Sequence, residues 1–117
     1  MGQPVVHWEI AARDAGRLES FYKEMFDWSI TGDTPIQHRH IDTGTRIGIQ
    51  GGIAETNGTW PNGTLFYVQV NDVRSYLAKA ENLGGSTLVP ATEMNGATIG
   101  IFRDPEGVVV GLIEQSQ

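Results

Sequence analysis

The sequence contains two similar segments that lie 58 residues apart. The first segment ends at Asp14 and reads VVHWEIAARD, and the second ends at Asp72 and reads TLFYVQVND; an apolar helical stretch follows each. In this alignment Leu65 takes the position of His7, so the polar side chains are concentrated in the first half. A duplicated half with unequal polar residues predicts one composite pocket whose chemistry depends mainly on the first copy.

Periodicity divides each half into a strand, a helix and three further strands. Asp14 and Asp72 lie where helix N-caps are expected, and the apolar stripe from Leu18 to Phe26 has helical spacing. The predicted strands cover residues 5–11, 28–31, 36–42, 45–53, 64–70, 86–92, 97–103 and 108–114. The order βαβββ therefore occurs twice, which predicts an α+β fold. We expect one domain over residues 1–117, with modules at 4–53 and 63–115 and a crossover loop at 54–62.

Composition excludes several classes of function. The net charge of −6 argues against nucleic acid, because a nucleic-acid-binding face needs clustered Lys and Arg. The sequence has no run of 18 apolar residues and no signal-peptide pattern at its start, so we predict no membrane contact and a cytoplasmic location. The absence of Cys excludes a disulfide, a thiolate nucleophile and a Cys-ligated metal.

Three stretches of the sequence resemble the vicinal oxygen chelate superfamily, which includes glyoxalase I, extradiol dioxygenases and bleomycin-resistance proteins. They read HWEIAARDAGRLESFYKEMFDW, YVQVNDVRSYLAKAENLGG and FRDPEGVVVGLIE. The likeness is greatest to small stand-alone proteins related to lactoylglutathione lyase. It implies two paired βαβββ modules that form a half-open, curved eight-stranded sheet, and a homodimer. It implies no single reaction, because this scaffold serves many functions.

The resemblance also implies where metal ligands should lie, namely on the first and last strand of each module. His7 matches the first position, whereas Leu65 and Gly111 fall on the two positions of the second module and cannot bind a metal. Glu114 lies three residues after Gly111 and so faces the other side of the strand. The fourth position lies in RIGIQGG, where Gln50 is the only candidate ligand. The alignment of this stretch with the family can be shifted by two residues. Because tight binding needs about three protein ligands, we expect no tightly bound metal and at most weak divalent binding by His7 and Gln50.

Strand alternation places His7 and Glu9 on the pocket face and Trp8 under the helix. An imidazole beside a carboxylate, about 7 Å away along one strand, can act as a general base near neutral pH. Alternatively, both line the pocket as polar groups hydrogen-bonded to Tyr67, Gln69 or water. The same rule predicts that the pocket side of the second module carries Leu65, Tyr67 and Gln69, and that its core side carries Phe66, Val68 and Val70.

Two further histidines and a tryptophan are candidate ligand-binding residues. His38 and His40 form an H-x-H pattern and face the same side, where they can recognise an anionic or aromatic ligand; otherwise their strand is exposed or half-exposed. In the resembling fold, their strand is one further from the strand of His7, about 10 Å away. We therefore do not expect His38 or His40 to share an ion with His7. Trp60, in the crossover loop, is expected to cap the pocket, to form a dimer contact or to pack over the end of the sheet.

These residues support two hypotheses from different functional classes, and the sequence leaves open whether the protein is an enzyme. The first is a protein that binds or sequesters a small organic ligand, as the drug-resistance members imply. The second is a metal-independent isomerase or lyase that acts on a small carbonyl or aromatic substrate. In it His7 is the general base, and Glu9, Tyr67 and Gln69 position the substrate. A metal-dependent glyoxalase or dioxygenase ranks third.

Overall fold

The computed structural model describes residues 2–33, 38–56, 61–94 and 96–115. The described part of the chain contains eight strands and two helices. In chain order they are β1 (Val5–Ala12), α1 (Ala15–Phe26), β2 (Ser29–Asp33), β3 (His38–Asp42), β4 (Gly51–Glu55), β5 (Gly63–Gln69), α2 (Val73–Asn82), β6 (Ser86–Met94), β7 (Ala97–Arg103) and β8 (Val109–Gln115). The order βαβββ occurs twice, which confirms the predicted α+β fold class. Neither helix in these ranges has the length and apolar character needed to span a membrane.

The chain divides into two compact units, each with one helix and a four-stranded mixed sheet. Residues 7–65 form the N-terminal unit, in which the strand order is β2-β3-β4-β1. The described residues of 1–6 and 66–117 form the C-terminal unit, with the order β5-β8-β7-β6. In each unit the last strand of the module pairs in parallel with the first, and the other neighbours are antiparallel. The last strand therefore lies directly between the first strand and the rest of its module.

Each unit has its own apolar cluster under its helix. In the N-terminal unit, Ala15, Ile30, Ile41 and Ile53 are buried, and the predicted core residue Trp8 packs against them. In the C-terminal unit the cluster consists of Val70, Val73, Leu77 and Leu112, with Val68 against it. This cluster does not extend to Phe66, which is 45% exposed. The prediction that Phe66 is a core residue is therefore wrong, whereas those for Val68 and Val70 are confirmed.

The predicted strand at 45–53 is confirmed only in its second part. β4 begins at Gly51, and the residues before it form an irregular loop. Gly44 and Gly48 have φ angles of 79° and 80°, in the left-handed region that glycine adopts without a steric penalty. Two such residues interrupt an extended backbone, so the residues between them do not form a strand.

Both helices begin in the same way. The Asp14 side chain accepts a hydrogen bond from Arg17 N at 3.0 Å, and Asp72 accepts one from Ser75 N at 3.3 Å, which confirms both N-caps. In addition, Glu55 Oε1 accepts a hydrogen bond from Ala15 N at 3.0 Å, and Glu114 Oε1 accepts one from Val73 N at 2.7 Å. A glutamate at the end of each module's last strand thus satisfies the first N–H of that module's helix.

Replacing Glu114 with alanine is expected to lower the free energy of unfolding by about 1 kcal/mol, because it leaves the first N–H of α2 without this acceptor. Urea denaturation followed by circular dichroism measures the change. The matched control is Glu106→Ala, an exposed glutamate in the turn before β8, for which we expect a change below about 0.5 kcal/mol. Equal effects of the two substitutions would show that the contact with Val73 does not stabilise α2.

Candidate functional site

Three polar side chains of the N-terminal unit meet on one face of its sheet. His7 and Glu9 lie on β1, and His38 lies on β3. Glu9 Oε2 accepts a hydrogen bond from His7 Nε2 at 3.3 Å and a second one from His38 Nε2. The imidazole ring centroids of the two histidines are 6.5 Å apart. The two imidazoles therefore share one carboxylate oxygen, and we call these three residues the His–Glu–His cluster.

His7 and Glu9 come together for the reason that the sequence predicts. Alternate residues of a strand face the same side of the sheet, so His7 and Glu9 share a face. Trp8, between them, packs instead against the core under α1. The predicted proximity of His7 to Glu9 is therefore confirmed.

His38 reaches Glu9 because the strand between them carries glycine at the crossing point. β4 lies between β1 and β3, and Gly52 of β4 is paired with Glu9 on one side. A Cβ atom at position 52 would lie 2.8 Å from His38 Nε2 and 2.8 Å from the backbone oxygen of Arg39. Real Cβ atoms essentially never approach other atoms so closely. The missing side chain thus leaves the space through which His38 crosses β4.

This contact overturns one expectation from the sequence. The predicted strand order is correct, since β3 is one strand further from β1 than β4. The conclusion that this spacing keeps His38 away from His7 is wrong, because ligand atoms of His7, Glu9 and His38 all lie within 4.8 Å of one another. The strand spacing of about 10 Å separates backbones, whereas a long side chain that passes over a glycine closes the gap.

The carboxylate of the cluster is buried, and the imidazoles are not. The side chain of Glu9 is 7% exposed, whereas those of His7 and His38 are 25% and 26% exposed. Burial on its own would raise the pKa of Glu9, but the hydrogen bonds and charges of His38 and His7 outweigh it and lower the pKa from 4.5 to about 2. Glu9 is therefore an ionised group held behind two rings that solutes can reach.

Gln50 and His40 lie near the cluster in sequence but do not belong to it. The side chain of Gln50 instead holds the loop before β4, since its Oε1 accepts a hydrogen bond from Thr43 N at 2.7 Å. The residue of β4 opposite Glu9 is Gly52, two positions later. His40 is exposed, and the group of potential metal ligands found among the described residues contains His38 without it.

The remaining candidates lie elsewhere in the chain. Tyr67 is 4% exposed and belongs to the C-terminal unit, where a Cβ at Gly111 would lie 2.5 Å from its ring. Gln69 of the same strand is exposed, and Leu65 is buried. Trp60 lies outside the described residues. Tyr67 is therefore packed onto its neighbouring strand, and a role for it in ligand binding stays a prediction.

The metal positions that the resemblance implies are not filled by suitable residues. Glu9 is paired with Gly52 on β4, and Tyr67, its counterpart in the repeat, is paired with Gly111 on β8. Both last strands thus carry glycine opposite these residues, and β5 carries Leu65. Of the residues at these four positions, only His7 can coordinate an ion. They therefore do not fit the metal that the metal-dependent proteins of the resembling superfamily bind.

Comparison with known proteins identifies the family. The sequence model described as Glyoxalase-like domain matches residues 7–113. Among curated proteins, none matches the chain. A glyoxalase/bleomycin resistance protein/dioxygenase superfamily member from Vibrio splendidus 12B01 is 14% identical, with a TM-score of 0.61 over 97% of this chain and 99% of that one. A Streptomyces coelicolor methylmalonyl-CoA epimerase is 16% identical, with a TM-score of 0.60 over 98% of this chain and 99% of that one.

A third similar structure has a different described activity. The NAD-dependent benzaldehyde dehydrogenase from Legionella pneumophila is 16% identical, with a TM-score of 0.65 over 94% of this chain and 98% of that one. At such identities the likeness concerns the fold alone, and proteins of this fold differ in activity. The family model matches most of the sequence, and this match establishes the family. The chain belongs to the glyoxalase-like domain family of the vicinal oxygen chelate superfamily.

Proposed function

We propose that this protein binds a small organic molecule at the His–Glu–His cluster. The observation that carries the proposal is a buried carboxylate that accepts hydrogen bonds from two partly exposed imidazoles. Burying a carboxylate is costly unless it is paired and hydrogen-bonded, and ionisable groups in such surroundings are concentrated at functional sites. The exposed edges of His7 and His38 are the parts of the cluster that a ligand meets first.

The chemistry of the cluster favours a ligand that carries oxygen atoms. Because the Nε2–H of each ring is donated to Glu9, it is a protonated imidazole, with a second N–H and a positive charge, that can donate a hydrogen bond to a carbonyl or carboxylate oxygen of the ligand. Family membership supports a small-molecule ligand in general terms, and the net charge of −6 is consistent with the absence of a nucleic-acid partner. A small carbonyl compound or aromatic acid is the class that we propose.

A second candidate function is a metal-independent isomerase or lyase with His7 as the general base. It is favoured by the hydrogen bond between His7 and Glu9, because a carboxylate that orients an imidazole is the usual partner of a histidine base. The substrate would be a small carbonyl or aromatic compound, which loses a proton to His7. This candidate requires that the cluster works without a metal.

A thermal-shift screen of chelator-treated protein tests the proposed function. The probes are benzoate, pyruvate and malonate, each at increasing concentration. A ligand at about 100 times its Kd adds roughly 2.7 kcal/mol to the free energy of unfolding, so a bound probe should raise the Tm by several degrees. The same mixtures are then analysed by NMR for conversion of the probe, which separates an enzyme from a binding protein.

Matched variants make this screen specific for the cluster. His7→Ala and His38→Ala are expected to abolish the ligand-induced rise in Tm, whereas His40→Ala, on the same strand as His38 but exposed, should leave it unchanged. Turnover that disappears in His7→Ala while the probe still binds would favour the second candidate. If His40→Ala removes the response as strongly as His38→Ala, the ligand site lies elsewhere.

A further inference from the structure

We infer that the His–Glu–His cluster binds one divalent transition-metal ion, with two imidazole nitrogens and one carboxylate oxygen as its protein ligands. Ligand atoms of His7, Glu9 and His38 lie within 4.8 Å of one another. This inference rests on the proposed function in one respect, namely that the small molecule binds at the same cluster. It goes beyond that function because it assigns a metal and a ligand set.

The distances fit a common ion with little movement. Ligand atoms bound to one ion at about 2.0–2.2 Å are roughly 3 to 3.5 Å apart. His7 Nε2 and Glu9 Oε2 are already 3.3 Å apart, and His38 Nε2 is hydrogen-bonded to the same oxygen. Small rotations of the two partly exposed rings then bring all three atoms around a central ion.

The donor set selects the kind of ion. Imidazole nitrogens suit zinc, iron, nickel, cobalt and copper, whereas Mg²⁺ and Ca²⁺ prefer sites made only of oxygen ligands. Two histidines with one carboxylate is the set found in several catalytic zinc sites and in non-haem iron enzymes. We therefore expect the cluster to prefer transition metals over Mg²⁺ and Ca²⁺.

The exposure of the ligands indicates an open site. Glu9 is almost fully buried, but His7 and His38 are about a quarter exposed. Three protein ligands leave at least one coordination position for water or an external molecule, which distinguishes catalytic zinc sites from closed structural ones. The oxygen atom of the small molecule proposed above would occupy that position.

This site differs from the one that the family resemblance implies. Of the four positions on first and last strands, only His7 is retained, while Leu65 and Gly111 cannot ligate. The other two ligands come from Glu9, two residues along β1, and from His38 on β3. All three donors belong to the N-terminal unit, so one module supplies the complete set.

The metal role and the second candidate function assign different tasks to His7. An imidazole nitrogen that coordinates an ion is not available to accept a proton from a substrate. Chelation separates the two roles, since an isomerase or lyase that uses His7 as base keeps its activity in a chelator, whereas a metal-dependent site loses it.

The test is metal binding to untagged, chelator-stripped full-length protein, measured by isothermal titration calorimetry with Zn²⁺, Co²⁺ and Mg²⁺. We expect about one Zn²⁺ or Co²⁺ per chain and no measurable Mg²⁺ binding. His38→Ala should weaken Zn²⁺ binding by roughly 100-fold or more, since even changes outside the ligand shell cost 10- to 100-fold. Glu9→Gln should also weaken it, and His40→Ala should not. Unchanged binding in His38→Ala, or equal loss in His40→Ala, would overturn the inference.

X-ray absorption spectroscopy of the wild-type protein loaded with Zn²⁺ keeps the test independent of whether the variants fold. Two imidazole ligands and oxygen donors are expected, and a spectrum with no or one imidazole contradicts the assignment. The outcomes also separate the two proposals. If a probe still binds in the presence of chelator and no metal binds to the protein, the proposed function stands and the metal site is refuted. If the metal binds as described but neither the chelator-treated nor the Zn²⁺-loaded protein responds to any probe, the proposed function is refuted instead.

Discussion

Replacing Gly52 with alanine is expected to lower the free energy of unfolding by about 2 kcal/mol and to displace His38 from Glu9. The new Cβ would lie 2.8 Å from the Arg39 backbone oxygen as well as from His38 Nε2. The imidazole can rotate away, but the backbone of β3 cannot move without disturbing its pairing with β4. The variant should therefore lose both stability and the Zn²⁺ affinity inferred for the cluster, as measured by urea denaturation and calorimetry.

Gly32→Ala is the matched control for this substitution. Gly32 lies on β2, and a Cβ there would make only ordinary contacts with the Arg39 side chain, the nearest at 3.7 Å. Alanine at such a site usually stabilises by about 0.4 to 1 kcal/mol, because it restricts the unfolded chain. The two substitutions should thus change stability in opposite directions. If Gly52→Ala is as stable as the wild type and binds Zn²⁺ equally, glycine at this position is not what admits His38.

Acidification is expected to remove roughly 3 kcal/mol of stability through Glu9 alone. Burial opposes ionisation of Glu9, but the hydrogen bonds and charges of His38 and His7 lower its pKa from 4.5 to about 2 in the folded protein. Because the unfolded chain takes up this proton more readily, the contribution is complete above pH 4.5 and is lost as the pH falls towards 2. The magnitude follows from about 1.4 kcal/mol for each tenfold change in proton affinity.

Urea denaturation of metal-free protein between pH 7 and pH 2 measures this effect. Glu9→Gln keeps the size of the side chain but cannot ionise, so the wild type should be the more stable at neutral pH and the difference should shrink below pH 4.5. Glu106→Gln changes an exposed carboxylate in a turn and should follow the wild-type curve closely. Parallel curves for the wild type and Glu9→Gln would mean that the two histidines do not hold Glu9 in its ionised form.

Features that depend on neighbouring residues could be predicted from the sequence. Asp14 and Asp72 cap the two helices as expected, because an N-cap needs only a short polar side chain before a helical stretch. The residues Asp104-Pro105-Glu106-Gly107 are likewise typical of a β-turn, and Gly107 N donates a hydrogen bond to Asp104 O with a φ of 87° at Gly107. Periodicity of two residues placed His7 and Glu9 on one face. These signals are local, so the sequence is sufficient to find them.

Features that depend on pairing between distant strands could not be predicted in this way. Gln50 is the only candidate ligand that the sequence offers on the glycine-rich strand, but the residue opposite Glu9 is Gly52, and Gln50 lies before the strand, which begins at Gly51. Glu114 has no obvious role in the sequence, yet it accepts a hydrogen bond from Val73 N, 41 residues away. The glycines in this strand were a usable signal, since glycine within a strand often marks close approach of another group.

Residue patterns along the chain are enough to predict the doubled βαβββ order, the helix caps and the pairing of an imidazole with a carboxylate at His7 and Glu9. That His38 joins this pair can be seen only in the folded protein. Its approach requires β4 to lie between β1 and β3 in one particular register, with Gly52 beside Glu9. Periodicity fixes which face a side chain occupies, whereas the register of distant strands fixes which side chains meet, and register arises from packing of the whole module.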